Sequence, residues 1–426
     1  MNVVGQKIYS FISDFKERKG GFIMGSDLLI KINGFILSIL IVRLLDKENF
    51  GLISYSRSLL FPFLAFVGMG ANHALLRFGP IRSSRFEKWT IYKYSQKTGI
   101  IGSLLLIIIF FIISFYASNN MPQARIYIFI LSFQIFSTHL ILTLKSLMRI
   151  LKLNKLYAFS GITQSGLLLI LGLSFTYLFG GIGYVLSIVI CPLLCYFLYD
   201  RFFKNFPLIN FNKLKGVINK SAFWRYGLYV GLGSIASQLL FDIGIIMSGT
   251  LNADPEQIAM YRVASIIPYN LLFIPKSVLK TDYIFLTENY KSRSTLLSYI
   301  KKYWAVFSVI SILISIPMLI FPNFILTVFF GSKYTDGVEI FRILTVSVII
   351  AIMFRKLFGS ILLAVGKANW NVINAVSTII INLILNYLLI TKFGITGAAY
   401  SIFLSFCFGS LISAVLLGYY IKYLTK

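Results

Sequence analysis

Apolar residues fill this chain in long unbroken runs, and polar positions gather between them. Runs long enough to cross a bilayer occupy residues 22–44, 51–73, 97–117, 125–148, 156–178, 181–199, 225–250, 258–280, 303–330, 338–363, 369–391 and 395–420. A hydrocarbon core needs roughly 20 apolar residues per helix, so each run predicts one transmembrane helix. Several joins are only a few residues long. Gly180-Gly181 lies between the fifth and sixth runs, and Phe393-Gly394 between the last two. Such joins make antiparallel neighbours. The first residues differ: Val4, Ile8, Phe11, Ile12 and Phe15 recur at helical spacing, with Lys7, Asp14, Lys16 and Glu17 between them. That pattern predicts an amphipathic segment, 1–20, lying on the membrane face.

Composition agrees with a membrane protein. Of 426 residues 58% are hydrophobic and 13% charged, against about 25% charged in a soluble domain. A soluble globular protein and a disordered one are both excluded. The net charge of +26 then reads as topology. With the N-terminus inside, the inner segments hold 29 Lys and Arg and the outer joins 5. One miscounted span would invert everything after it, so the split supports twelve spans with both termini cytoplasmic. Trp89, Trp224, Trp304 and Trp370 fall at inner span ends, where interface anchors belong. No soluble region is large enough for a nucleic-acid-binding module, so no nucleic-acid partner is expected.

The motifs of chemistry are missing. The sequence has no Walker loop, HExxH or CxxC, and its outer joins are too short for a catalytic domain. An enzyme is therefore not expected, and neither a cofactor nor a metal is implied. Three cysteines make no disulfide framework; Cys191 and Cys195, four apart, read as small packing residues on one helix face. His139, within the fourth run, reads as a hydrogen-bonded packing residue.

The longest inner connection, 200–224, divides the chain into an N-terminal half, 21–199, and a C-terminal half, 225–426. The halves echo each other. Phe179-Gly180-x-x-Gly183 matches Phe393-Gly394-x-x-Gly397, each between the fifth and sixth runs of its half. Tyr55 and Pro62 lie seven apart, as do Tyr261 and Pro268. Six spans per half give repeats of the same orientation, a common transporter design. Prolines 62, 192, 268, 275 and 317 fall within runs, where they bend helices.

Charges inside the runs are the site candidates, because a charge at mid-membrane costs a few kcal/mol or more. The basic ones are Lys31, Arg57, Arg262, Arg342, Arg355 and Lys356; the acids are Asp27, Asp242 and Glu339. Asp27 and Lys31 are i, i+4 and can pair. Asp242 lies on the seventh run, the counterpart of the first. Arg262 and the Glu339/Arg342 pair lie near outer span ends, where long side chains snorkel. Gln134, Gln164, Gln238, Asn33 and Asn374 either line a polar lumen or hydrogen-bond helices together. Six basic against three acidic residues favour an anionic cargo over a cationic one.

Short motifs along the whole length carry a resemblance. The first run ends in Arg43-Leu44-Leu45-Asp46-Lys47-Glu48-Asn49-Phe50-Gly51, and the second in Gly70-Ala71 followed by Leu76-Arg77-Phe78-Gly79. Phe330-Gly331-Ser332-Lys333-Tyr334 and Gly366-Lys367-Ala368-Asn369 follow the ninth and tenth runs, and Phe393-Gly394-Ile395-Thr396-Gly397-Ala398-Ala399 joins the last two. In this order the chain resembles the Wzx-type O-antigen and polysaccharide flippases of the MATE-like (MOP) superfamily.

The resemblance implies an all-α membrane protein of twelve helices, in two six-helix lobes around a central cavity open to one side at a time. It implies translocation of a polyprenyl-diphosphate-linked oligosaccharide from the cytoplasmic to the outer leaflet, for O-antigen, capsule or exopolysaccharide. Basic residues are expected in the cavity, and Lys31, Arg57 and Arg355 are the candidates for the anionic headgroup. Moving two negative charges out of a negative interior gains roughly 4–5 kcal/mol per 100 mV. Inward H⁺ or Na⁺ would add to this, with Asp27 or Asp242 as the acid. A cation-coupled multidrug antiporter of the MATE branch and a non-transporting membrane scaffold stay open as alternatives.

Overall fold

The computed structural model describes residues 20–203, 219–251 and 253–423. The amphipathic segment expected over 1–20, apart from its last residue, and most of the 200–224 connection lie outside those residues. The described elements are helical throughout, with no strand among the described residues. The first half holds α1 (Gly20–Leu44), α2 (Lys47–Ala65), α3 (Ala71–Phe78), α4 (Arg85–Ala117), α5 (Arg125–Ile150) and α6 (Asn154–Asp200). The second half holds α7 (Lys220–Thr250), α8 (Pro255–Leu271), α9 (Phe273–Glu288), α10 (Arg293–Ile320) and α11 (Pro322–Phe330). It continues with α12 (Val338–Ile350), α13 (Leu357–Ala364), α14 (Ala368–Phe393) and α15 (Ile395–Tyr423).

Among the described residues, nine helices are long and apolar enough to cross a membrane, or ten if the bent pair Lys220–Ala236 and Gln238–Thr250 is one span. Their outward faces explain the composition. On α4, Ile101, Leu104, Ile108 and Ile112 are exposed, while Gly99, Gly102, Ser103, Leu106 and Phe110 are buried. Glycines and a serine let Leu106 and Phe110 pack closely on the buried face while the large aliphatic residues face outward, because tight packing rather than water exclusion holds helices together in a bilayer.

The longest helix, α6, holds a reversal. Gly180 sits at φ 59°, ψ −140°, a conformation that side chains other than glycine's do not readily adopt. Cys195 Sγ donates to the Ser160 carbonyl at 3.4 Å and Cys191 Sγ to the Gln164 carbonyl at 3.1 Å. A Cβ on Gly183 would strike the Phe175 carbonyl. The two arms of α6 are therefore antiparallel neighbours, as the short join predicts. The cysteines pack in the seam, unbridged.

The same device recurs at α14 and α15. Gly394 sits at φ 57°, ψ −143°, and a Cβ on Gly397 would strike the Leu389 carbonyl. The two glycine–carbonyl approaches match at the offset of the sequence repeat. The second match has a structural counterpart too. The helix begun by α2 breaks four residues after Pro62, at Phe66, and the helix begun by α8 breaks four residues after Pro268, at Leu272.

Contacts divide the chain into two compact units. Unit one comprises Met1–Leu45, Pro62–Tyr116 and Arg125–Ile235; unit two comprises Asp46–Phe61, Ala117–Ala124 and Ala236–Lys426. The lobes drawn from the sequence follow chain order, whereas unit two gathers residues 47–61 of α2 with most of the second half. The core of unit one includes Leu75, Trp89, Tyr92, Leu144, Met148 and Phe203. That of unit two includes Leu296, Phe307, Val348, Leu357 and Ile361. Trp89 thus corrects the interface-anchor reading: it is buried against Tyr92 and Phe203.

Candidate functional site

In unit two, the acid of α7 meets a cation of α8. Asp242 is 1% exposed, and its Oδ1 lies 3.0 Å from Arg262 Nη2, whose side chain is 19% exposed. Ser58 of α2 donates to the same carboxylate oxygen at 3.3 Å, and Gln238 Nε2 donates to Oδ2 at 2.7 Å. Arg262 also donates to the Ser58 hydroxyl. A buried carboxylate needs such partners, since an uncompensated charge in a low-dielectric interior is costly. The snorkelling reading of Arg262 is corrected here, because its guanidinium turns inward to Asp242. Residues 58, 242 and 262 are far apart in sequence, so no local spacing signalled the cluster. Glu339 and Arg342 also part company: Glu339 accepts from Tyr400 and Arg342 donates to the Leu319 carbonyl.

Arg57 neighbours Ser58 on α2 but points elsewhere, since adjacent helical residues diverge by about 100°. It is half-buried, with its guanidinium carbon 5.1 Å from the Phe61 ring centroid. Arg355 lies in the same unit on other partners. It belongs to a π-helical segment, Ala351–Lys356, between α12 and α13. Such insertions are rare and frequent at functional sites. Two aromatic donors of α10 hold this one. Tyr303 Oη donates to the Ile352 carbonyl at 3.1 Å, and Trp304 Nε1 to the Met353 carbonyl at 2.8 Å.

The Arg355 guanidinium carbon lies 5.2 Å from the Phe406 ring centroid on α15. A Cβ on Gly409 would sit 3.2 Å from Arg355 Nε and 2.8 Å from Thr378 Oγ1. Glycine at 409 therefore gives the guanidinium its place. Lys356 is half-buried and within coulombic reach of Arg355 and Lys276. Among the described residues, no carboxylate forms an ion pair with Arg355 or Lys356. The arrangement is a basic cluster suited to an anion.

Next to it, α14 carries Asn374, Thr378, Asn382 and Asn386, four apart and all buried. Asn374 donates to the Gly409 carbonyl and Ser413, and Asn382 donates to Ser405. Asn374 is thus a bond between helices rather than a free lumen group.

In unit one, Lys31 is exposed and Asp27 half-buried on α1. Asn33 donates to Ser165 of α6 at 3.1 Å, and a Cβ on Gly161 would meet Ile30. Lys31 is turned away from that seam. Lys145, counted with the inner segment, lies near the end of α5 and donates to Gln164 Oε1 of α6 at 2.6 Å. Gln164 is ten residues into α6, about 15 Å from its start. A lysine and a glutamine inside apolar runs were the available signal. His139 is fully buried, with Nε2 3.2 Å from the Gln96 carbonyl and its ring filling space left by Gly68 and Gly99.

A family model described as polysaccharide biosynthesis protein matches residues 17–281, more than half of the chain. The chain belongs to this family. Among solved structures the chain is similar to a lipid II flippase MurJ in an inward closed conformation. That match has 16% identity and a TM-score of 0.73, over 93% of this chain and 87% of the other. It is also similar to an inward-facing multidrug resistance MATE family transporter of the MOP superfamily, at 15% identity and TM-score 0.74, over 93% and 95%. A third likeness is to a MOP superfamily transporter from Pyrococcus furiosus, described as having a binding pocket of reversed polarity. It has 15% identity and TM-score 0.67, over 96% of each chain. No curated protein matches the sequence. The Wzx-type resemblance and the all-helical MATE-like fold therefore hold for this chain.

Proposed function

We propose that this family member is a flippase that carries a polyprenyl-diphosphate-linked oligosaccharide from the cytoplasmic to the outer leaflet by alternating access. In this reading it has twelve spans, two six-helix lobes, and both termini in the cytoplasm of a cell whose inner (plasma) membrane holds it. The observation that carries the reading is the basic cluster at the π-helical segment. Arg355 and Lys356 are half-buried without a carboxylate partner among the described residues, and a diphosphate supplies the missing negative charge. Charge-assisted hydrogen bonds to phosphate oxygens are strong where water is excluded. Lys31 and Arg57 join Arg355 as headgroup ligands in this scheme. The name of the lipid II flippase neighbour supports a lipid-linked cargo.

Coupling to inward H⁺ or Na⁺ is proposed through Asp27 or Asp242. At Asp242 the ion must compete with Arg262 for the carboxylate, so protonation would release Arg262 and loosen α2, α7 and α8 at that point. The antiporter reading draws support from the MATE likeness, but a cationic drug needs available acids, and Asp242 already holds Arg262.

The test is deletion of the gene followed by extraction of membrane lipids. Glycan-lipid that is made but trapped in the inner leaflet, with surface polysaccharide lost, is the expected result. Unchanged polysaccharide with new sensitivity to cationic dyes would replace the proposal with the antiporter.

A further inference from the structure

Unit one contains a cavity of about 590 Å³ where α4 begins, α5 hands over to α6, and α6 ends. Three cations line it, Arg85, Lys152 and Lys155, with Phe159, Phe202 and Phe203 among the apolar residues. No acidic residue is among its described lining residues. The three cations are exposed, as are Phe159 and Phe202, whereas Phe203 is buried and stacked on Trp89. The α6 helix starts in this cavity, and its N-cap, Leu153, supplies no side-chain cap. First-turn amides point back along a helix axis, so they add positive potential there.

Charge placement for topology requires only that cations sit on one side. It does not require them to ring a cavity with aromatic walls. A site with cations at the helix ends and exposed aromatic rings beside them matches one kind of molecule: an anionic headgroup joined to hydrocarbon. Its volume also lies in the range of small-molecule sites. Basic pockets at the cytoplasmic ends of membrane helices bind lipid headgroups by the same physics.

We propose that this pocket binds an anionic glycerophospholipid of the inner leaflet. Arg85, Lys152 and Lys155 hold the phosphate, and Phe159 and Phe202 lie along the first acyl carbons. The assignment does not depend on the cargo, because the pocket involves none of the headgroup residues named above.

The test uses the purified full chain in detergent and measures lipid retained, by native mass spectrometry, with phosphatidylglycerol, phosphatidylcholine or inorganic phosphate added. Phosphatidylglycerol should be held roughly tenfold better than phosphatidylcholine, and excess inorganic phosphate should not displace it. The R85Q/K152Q/K155Q triple variant should lose that preference, while K88Q/K291Q/K301Q, with the same charge removed elsewhere, should keep it. If the pocket variant does not fold, photoactivatable phosphatidylglycerol on the unmodified protein decides the matter: cross-links should map to residues 151–159 and 202–203. Equal retention of the two lipids, displacement by phosphate, equal loss in both triple variants, or cross-links elsewhere would each overturn the proposal.

Discussion

Removing one partner of the Asp242–Arg262 pair exposes the other to an environment that cannot solvate it. Breaking a buried pair typically costs 3–5 kcal/mol. Arg262 keeps 19% of its side chain exposed, and Gln238 stays in place, so about 2–3 kcal/mol is the fair expectation for Asp242→Asn or Arg262→Gln alone. The double variant removes both charges and should cost less than the sum, with a coupling energy of about 1.5–2 kcal/mol. Thermal unfolding midpoints of the four proteins in detergent give the cycle, and each single should fall by a few degrees. The Lys47–Asp336 pair is a built-in control. It spans 3.7 Å with Asp336 73% exposed, and exposed pairs contribute little, so Asp336→Asn should leave the midpoint unchanged. If the two single effects add within about 0.5 kcal/mol, the two side chains are not energetically paired and the packing argument for unit two fails.

Other expectations follow from the same geometry. Lys31→Ala, Arg57→Ala and Arg355→Ala should each reduce surface polysaccharide with membrane protein level maintained, and normal polysaccharide in all three would sink the anion-site assignment. Gly409→Ala should displace Arg355 and act like a mild Arg355→Ala in the same assay, because the new Cβ would meet Nε at 3.2 Å. Gly180→Ala and Gly394→Ala should each destabilise by about 1–3 kcal/mol, read as matched falls in melting temperature; a fall at one position alone would argue against equivalent turns. Lys145→Met should leave folding intact, since it removes a half-buried cation and one bond to Gln164, and transport measured beside it would reveal whether that cation serves the cargo.

The membrane character and the helical fold were legible because they depend on local pattern. A run of apolar residues states the helix, and its length states whether it can cross a bilayer. The internal repeat was legible for a related reason. Gly180 and Gly394 are demanded by backbone angles at one residue each, so a short motif carries the whole device. His139 and the two cysteines also behave as their surroundings in sequence suggest.

Pairing between distant helices was not written in any run. Arg262 near a span end reads as a snorkelling side chain until α2 and α7 bring Ser58 and Asp242 to it. Lys145 stands alone in its run until α6 presents Gln164 to it. The π-helical segment leaves no motif, because it arises from packing that lets Tyr303 and Trp304 reach two carbonyls. Trp89 reads as an interface anchor, yet the ring of Phe203, more than a hundred residues away, covers it. The sequence alone determined the apolar, helical character of the chain and the turns at Gly180 and Gly394, since hydrophobicity and backbone strain act locally. Only the tertiary structure decided which buried charges meet a carboxylate among the described residues, because that depends on contacts between residues the chain separates by up to two hundred positions.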